Sequence, residues 1–171
     1  MISRYIAAWA AIAAVPTIMW AAAPKECVAT NPTPRSYTWN FDREASGLLK
    51  GIRSDAVTAR TRADKLMSFE RNPMDWQIHA DQLTALKREV DDMGARLCRL
   101  ETIHRVITPA EERQVKRVAP LIQYMADNTD DALNYLNAHR LYLWAPSYHE
   151  YATNLYHEAG ELQHVIQVHE G

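Results

Sequence analysis

Three residues whose side chains can bind a transition metal fall on the apolar faces of predicted helices. Glu70, His79 and His139 each occupy a position in an alternating four-three spacing that is otherwise filled mainly by apolar residues. Two imidazoles and a carboxylate suit a transition metal ion. The end layers of helical bundles are also commonly polar, with histidines hydrogen-bonded to each other or to water. The sequence therefore predicts either a metal site or a polar end layer at these residues.

Two Glu-x-x-His pairs could form a second kind of metal site. They are Glu101 with His104 and Glu161 with His164. Bundles that bind two iron ions combine two such pairs with one glutamate from each remaining helix, for which Glu111 or Glu44 could serve. His104 lies on the apolar face of its predicted helix, whereas His164 points away from the apolar face of its own. The sequence therefore argues against a di-iron site.

Motifs for haem attachment and nucleophilic catalysis are missing from the sequence. It contains no Cys-x-x-Cys-His, and the predicted first helix has no Met near its start, as the Met-plus-His haem site of four-helix cytochromes requires. Cys98 flanks an apolar helical face, and no serine lies on a strained turn that would expose it as a nucleophile. We therefore assign no catalytic residue and no cofactor, and we expect a protein that is not an enzyme.

Aromatic residues crowd the third predicted connection and the start of the fourth helix, and they are Tyr142, Trp144, Tyr148, Tyr151 and Tyr156. At the end of a bundle such residues cap the core. Tyrosine and tryptophan are also favoured anchors of protein interfaces, and Trp39 and Trp76 could join the set. The sequence leaves both roles open, a cap on the core or a partner surface.

Four amphipathic helices are predicted to position these residues. Each has a stripe of mainly apolar residues at helical spacing. The stripes are Ala45, Leu49, Ile52, Ala56, Ala59, Ala63, Leu66 and Glu70; His79, Leu83, Leu86, Val90, Met93, Leu97, Leu100 and His104; Val115, Val118, Ile122, Met125, Thr129, Ala132, Leu136 and His139; and Tyr148, Ala152, Leu155, Ala159, Leu162, Ile166 and His169. Short connections make successive helices antiparallel. We expect an all-α, up-down-up-down four-helix bundle over residues 41–169, with coiled-coil-like packing.

Proline and capping patterns predict where the helices begin and end. Asn72-Pro73 closes the first helix and opens the second, with Asn72 as the N-cap. Residues 108–111 read Thr-Pro-Ala-Glu and residues 147–150 read Ser-Tyr-His-Glu, and both fit the capping box. Pro120 lies inside the third helix but off its stripe, so we expect a bend there and not a break.

The N-terminus has the pattern of a secretory signal peptide. A basic start is followed by an uncharged, alanine-rich segment that ends in three alanines. Cleavage after Ala23 or after Ala29 fits this pattern, although Pro24 disfavours the first cut. If neither cut occurs, the segment is long enough to anchor the chain in a membrane. We expect a signal peptide at residues 1–23, an extended proline-rich arm at residues 24–40, and export to the periplasm or out of the cell.

The chain has two cysteines, Cys27 and Cys98. Exported proteins lie in oxidising compartments, where two such thiols can pair and tie the arm to the second helix. Two unpaired thiols are the alternative, and a cut after Ala29 would remove Cys27 altogether.

Length and charge limit the kind of protein further. At 171 residues the chain suits one domain with a sizeable core. Lys and Arg total 19 against 21 for Asp and Glu, and the formal net charge is −2 with both signs interleaved. This balance gives no basic surface for nucleic acid. We therefore expect no nucleic-acid partner, and contact with a membrane only if the N-terminal segment is retained.

Several short motifs are shared with other proteins, and they are Trp39-Asn40-Phe41-Asp42, His79-Ala80 with Gln82-Leu83, Met93-Gly94 and Arg99-Leu100-Glu101. In these motifs, which span most of residues 39–168, the chain resembles a group of uncharacterised secreted bacterial helical proteins. The resemblance implies export and a helical fold but no activity.

Together these observations favour a non-enzymatic exported bundle that acts through a protein partner in the cell envelope. The alternative is a periplasmic metal-binding or metal-sensing bundle that uses Glu70, His79 and His139. The sequence predicts neither the partner nor the oligomeric state.

Overall fold

A computed structural model describes residues 40–69, 76–140 and 146–166. They form the helices α1 (Phe41–Phe69), α2 (Trp76–Ile103), α3 (Pro109–Ala138) and α4 (Pro146–Val165), and no strand occurs among them. α1 packs against α2 and α4, and α3 packs against the same two helices. This part of the chain is therefore an all-α four-helix bundle, which confirms the predicted fold class.

The predicted stripes form the core of the bundle. Leu86 and Leu155 are 0% exposed, Val90 is 3% exposed and Ile122 is 4% exposed. All the other apolar stripe residues within the described ranges are buried, except Leu97, which is partly buried against the core. Because burial of these side chains supplies most of the stability of an amphipathic helix, the stripes decide how the helices pack.

The buried face of α1 is largely alanine. Ala56, Ala59 and Ala63 are 0% exposed, and Ile52 and Leu66 flank them at the same 0% exposure. Alanine has no side chain beyond Cβ, so neighbouring helices can approach this face closely. α2 and α4 both pack against α1.

The start of α3 has the predicted capping box. Thr108 is the N-cap, its side chain accepts from the backbone N–H of Glu111, and Pro109 occupies the first helical position. The Glu111 side chain accepts in return from the backbone N–H of Thr108 over 3.1 Å. Ser46 of α1 also donates to Glu111 Oε1 over 2.9 Å, so the same carboxylate links α1 to the first turn of α3.

Pro120 does not interrupt α3, which runs through it as one helix of 30 residues. The proline is exposed, on the side away from the stripe. Its missing N–H and its ring therefore leave the packing of the core intact, and the prediction that the helix does not break is confirmed. The predicted bend at this position stays a prediction.

Three predictions at the ends of helices are wrong. α2 ends at Ile103, which is 4% exposed, so that His104 is an exposed turn residue and not the last member of the stripe. His139 follows α3 as its exposed C-cap. α4 begins at Pro146, which makes Ser147 its second residue and not its N-cap. Helix ends depend on a few terminal hydrogen bonds, which stripe periodicity does not specify.

The start of α1 has a cap that the sequence analysis missed. Asn40 Oδ1 accepts from the backbone N–H of Arg43 over 2.9 Å, and its carbonyl accepts from the backbone N–H of Glu44 over 3.1 Å. Asn40 was assigned to the extended arm, although asparagine is a favoured N-cap residue.

Several predictions lie outside the described residues. They concern the signal peptide at 1–23, most of the arm at 24–40, the Asn72-Pro73 turn and His169.

Arginines of α2 reach carboxylates of α1 along one edge of the bundle. Arg96 pairs with Asp55, and Arg99 Nε donates to Glu44 Oε1 over 2.6 Å. Arg96 crosses the surface of α1 at Gly51, where an added Cβ would lie 2.6 Å from Arg96 Nε. The glycine thus provides the space for this ion pair.

Two glycine substitutions in α1 test this explanation. Gly47→Ala should stabilise the bundle by about 1 kcal/mol, because glycine inside a helix costs about that much relative to alanine and a Cβ at this position meets no atom within 4 Å. Gly51→Ala should stabilise the bundle by less than Gly47→Ala, since the new Cβ displaces Arg96. Urea denaturation of both variants measures the difference.

The Arg96→Ala background is the control. There Gly51→Ala should give the same gain as Gly47→Ala, because no side chain has to move. Equal gains from the two substitutions in the wild-type background would contradict the role assigned to Gly51.

Candidate functional site

A buried hydrogen bond joins α2 and α4 at the end of the bundle where both helices begin. His79 is 2% exposed and Tyr148 is 1% exposed. His79 Nδ1 lies 3.0 Å from Tyr148 Oη, and the two rings meet edge to face with centroids 5.5 Å apart. Buried polar groups cost free energy unless they are hydrogen-bonded, so each residue offsets the cost of burying the other.

Two rings of α3 extend this pair. The ring centroid of Tyr135 lies 6.0 Å from that of Tyr148 and 4.2 Å from that of His139, on which it stacks. The structure thus brings the two predicted histidines to the same end of the bundle, with two tyrosines between them. His139 itself is exposed, and its Nδ1 lies 3.1 Å from the carbonyl oxygen of Tyr135.

The third predicted metal ligand, Glu70, lies outside the described residues. Within residues 40–69, 76–140 and 146–166, no group of three or more His, Cys, Asp or Glu side chains is arranged to hold a metal ion. The metal site at Glu70, His79 and His139 therefore stays a prediction.

Burial lowers the pKa of His79, because an imidazolium ion loses its hydration in the core. The ring is therefore neutral at neutral pH, with one nitrogen as donor and the other as acceptor. In that state it can share a hydrogen bond with Tyr148 without placing a charge in the core.

The residues of the rejected di-iron arrangement make other contacts. Glu44 pairs with an arginine of α2, and Glu111 belongs to the capping box of α3. His104 is exposed beyond the end of α2, where its Nδ1 lies 2.6 Å from the carbonyl oxygen of Glu101. His164 is exposed on α4, as its predicted direction requires.

An arginine–tyrosine pair on the outer edge of α1 and α4 is a second site. Arg60 Nη2 donates to Tyr156 Oη over 2.8 Å, and its guanidinium carbon lies 4.4 Å from the centre of the tyrosine ring. Gly160 is buried beneath the arginine, and its added Cβ would lie 3.6 Å from Arg60 Cζ. Hydrogen bond and stacking together hold the guanidinium in one orientation.

The pair lines a shallow surface cavity of about 190 Å³. The other lining residues are His157, Gly160, Glu161 and His164. Val57 lies one helical turn before Arg60 on α1 and is 49% exposed, which adds an apolar side chain to the surface near Arg60. We call these residues the α1–α4 face.

Only half of this face is predicted by the sequence. Tyr156 belongs to the predicted aromatic set, whereas Arg60 lies off the apolar stripe of α1 and is not predicted as a site residue. The signal that could have paired them is Gly160 beside the stripe of α4, because a glycine there leaves room for a long side chain from a neighbouring helix.

The predicted aromatic set divides between core and surface. Tyr148 is buried, whereas Tyr151 and Tyr156 are partly buried against the core. Trp76 is also partly buried and has the guanidinium of Arg140 4.5 Å from its ring centre. Tyr142, Trp144 and Trp39 lie outside the described residues. The role of a core residue is therefore confirmed for Tyr148, and the partner surface stays a prediction.

Cys98 occupies a partly buried position on α2. Its predicted partner Cys27 lies outside the described residues, so the disulfide stays a prediction.

Comparison with family models, with curated proteins and with solved structures finds no match to this chain. Among the helices that the structure describes, none is both long and apolar enough to cross a membrane.

The burial of His79 predicts how stability changes with pH. Its pKa is lower in the folded chain than in the unfolded chain, where it lies near 6.5. The stabilisation is therefore complete above pH 6.5 and is lost as the pH falls below it, because protonation then favours the unfolded chain. Urea denaturation between pH 5 and pH 8 should show this loss.

His79→Gln is the matched variant, since its amide can hydrogen-bond but does not titrate. The difference in unfolding free energy between wild type and variant should shrink as the pH falls. A difference that is constant across this range would show that His79 does not contribute to the pH dependence.

Proposed function

We propose that the protein is an exported, non-enzymatic helical bundle that acts by binding a protein partner in the cell envelope through the α1–α4 face. The observation that supports this proposal is the preorganised Arg60–Tyr156 pair at a surface cavity. Arginine and tyrosine are enriched among the residues that dominate binding energy at interfaces. Side chains that are already ordered lose less entropy when a partner binds.

The chemistry of the face indicates what kind of partner it fits. The guanidinium of Arg60 can bind a carboxylate, and the exposed Val57 can contact an apolar side chain. Glu161 at the other side of the cavity disfavours a purely acidic surface. The face therefore suits a protein segment that places a single carboxylate next to an apolar residue.

Export is supported by the sequence of residues 1–23. The predicted pairing of Cys27 with Cys98 fits the same oxidising location. The resemblance to secreted bacterial helical proteins agrees with this location and assigns no activity.

Photocrosslinking in cells tests the contact. A crosslinking amino acid at Val57 should give a covalent adduct with an envelope protein, because this exposed position lies one helical turn from Arg60. The adduct should decrease at least about tenfold when Arg60→Ala is added, since truncation of a central arginine typically costs more than about 1.4 kcal/mol of binding energy.

Two controls make this result specific. Tyr124 is 58% exposed on α3, a helix that contributes no residue to the α1–α4 face, so a crosslinker there should not give the same adduct. Arg140→Ala removes an arginine that lies over Trp76 and should leave the Val57 adduct unchanged. If no adduct forms, or if it persists with Arg60→Ala, the proposed contact is wrong.

The disulfide gives a separate test of export. Protein purified from the envelope without reductant should show no reactive thiol after denaturation, and Cys27→Ser should expose one thiol at Cys98. Quantification with a thiol reagent distinguishes these states. Two reactive thiols in the wild-type chain, with the full sequence present, would contradict the pairing.

A further inference from the structure

Glu158 lies partly buried in the interface between α3 and α4, with its two carboxyl oxygens in different environments. Oε1 accepts from Asn128 Nδ2 of α3 over 2.9 Å. Oε2 is buried and has no hydrogen-bond partner among the described residues. A buried carboxylate oxygen without a donor is costly when the group is ionised.

The neighbouring groups do not compensate this charge. From α3, Asp127 adds a second carboxylate, and from α4, Glu161 adds a third. Asn128 is shared, since its amide also donates to the carbonyl of Tyr124 over 3.0 Å and its Oδ1 accepts from Asn154 over 3.3 Å. The cation that α1 brings to α4, Arg60, lies over Tyr156 instead.

These surroundings alter the proton affinity of the group. Burial raises the pKa of Glu158 to about 7, with smaller contributions from the charges of Asp127 and Glu161, while the hydrogen bond from Asn128 opposes the rise. A carboxyl group that exchanges its proton near neutrality differs from surface glutamates, which are ionised throughout this range.

We propose that Glu158 is a proton-controlled contact between α3 and α4, which holds the two helices together when its carboxyl group is neutral and weakens their packing when it is ionised. The pKa is higher in the folded chain than the ordinary value of 4.5. The stabilisation is therefore complete below pH 4.5 and is lost as the pH rises to about 7.

We expect a local effect because the α1–α2 interface pairs its carboxylates with cations. α1 and α2 are joined by the pairs of Arg96 with Asp55 and Arg99 with Glu44, which place a guanidinium against each carboxylate. Asn128 of α3 contacts Asn154 and Glu158 of α4, and these two contacts contain no guanidinium group. A rise in pH through neutrality should thus loosen the α3–α4 interface first.

The experiment compares the full chain with Glu158→Gln, whose amide has the shape of the neutral acid and does not titrate. In urea denaturation, the unfolding constant of the wild type should rise relative to that of the variant between pH 4.5 and pH 7.5. We expect a change of about tenfold, less than the full shift would give, because solvent screens a half-buried group. His79 is present in both proteins, so its own pH dependence cancels in the ratio.

Glu161→Gln is the control for general charge, since it removes an exposed carboxylate from the same helix. The ratio of the wild-type unfolding constant to that of Glu161→Gln should change by less than about twofold over the same pH range. Asn128→Ala removes the donor to Oε1 and should increase the loss of stability above pH 7. The proposal is overturned if the ratio of the unfolding constants of the wild type and Glu158→Gln does not change with pH.

Amide hydrogen exchange then locates the effect. Exchange in α4 and in α3 around Asn128 should accelerate in the wild type between pH 5 and pH 8, after correction for intrinsic rates, and should not do so in Glu158→Gln. Acceleration that is equal in all four helices would mean that the whole bundle unfolds, and it would overturn the assignment to this interface.

Discussion

The structure depends on the close packing of the alanine-rich face of α1 against α2 and α4. Each buried alanine removes little apolar area from water, so this face is stabilising only if its neighbours approach closely enough to bury larger residues against it. Leu83, Leu86 and Leu155 are fully buried on those neighbours. The arginines of α2 then attach to carboxylates at the edge of α1, and Gly51 leaves room for one of them. Apolar packing and ion pairing thus both hold α1 against α2.

The buried polar residues His79, Glu111 and Thr129 each have a hydrogen-bond partner. His79 and Tyr148 pair at one end, and Glu111 completes the capping box at the other. Thr129, in the buried face of α3, donates to the carbonyl of Met125 over 2.6 Å within its own helix. These contacts satisfy hydrogen-bonding groups that would otherwise destabilise the apolar core, and those at the ends also join helices that the apolar stripes alone do not bring together.

The fold could be predicted from the sequence because stripe periodicity records which face of each helix is buried. The capping box at Thr108 could be predicted too, since its residues interact within one turn. The exposed positions of His104 and His139 could not, because they depend on where the last helical hydrogen bond forms. Arg60 with Tyr156 and Glu158 with Asn128 lie off the stripes on different helices. Their contacts depend on the rotation and height of one helix relative to another, which no single helix specifies.

The interfaces of this bundle therefore differ in how they handle charge. Where α1 meets α2, cations and carboxylates neutralise each other, so the interface keeps its hydrogen bonds across the neutral pH range. Where α3 meets α4, one amide donates to a carboxyl group whose other oxygen has no donor among the described residues. α4 belongs to both kinds of interface, since its other edge places Tyr156 beneath Arg60 of α1. Tyr156 and Glu158 lie only two residues apart in α4, so the helix turns one of them toward α1 and the other toward α3.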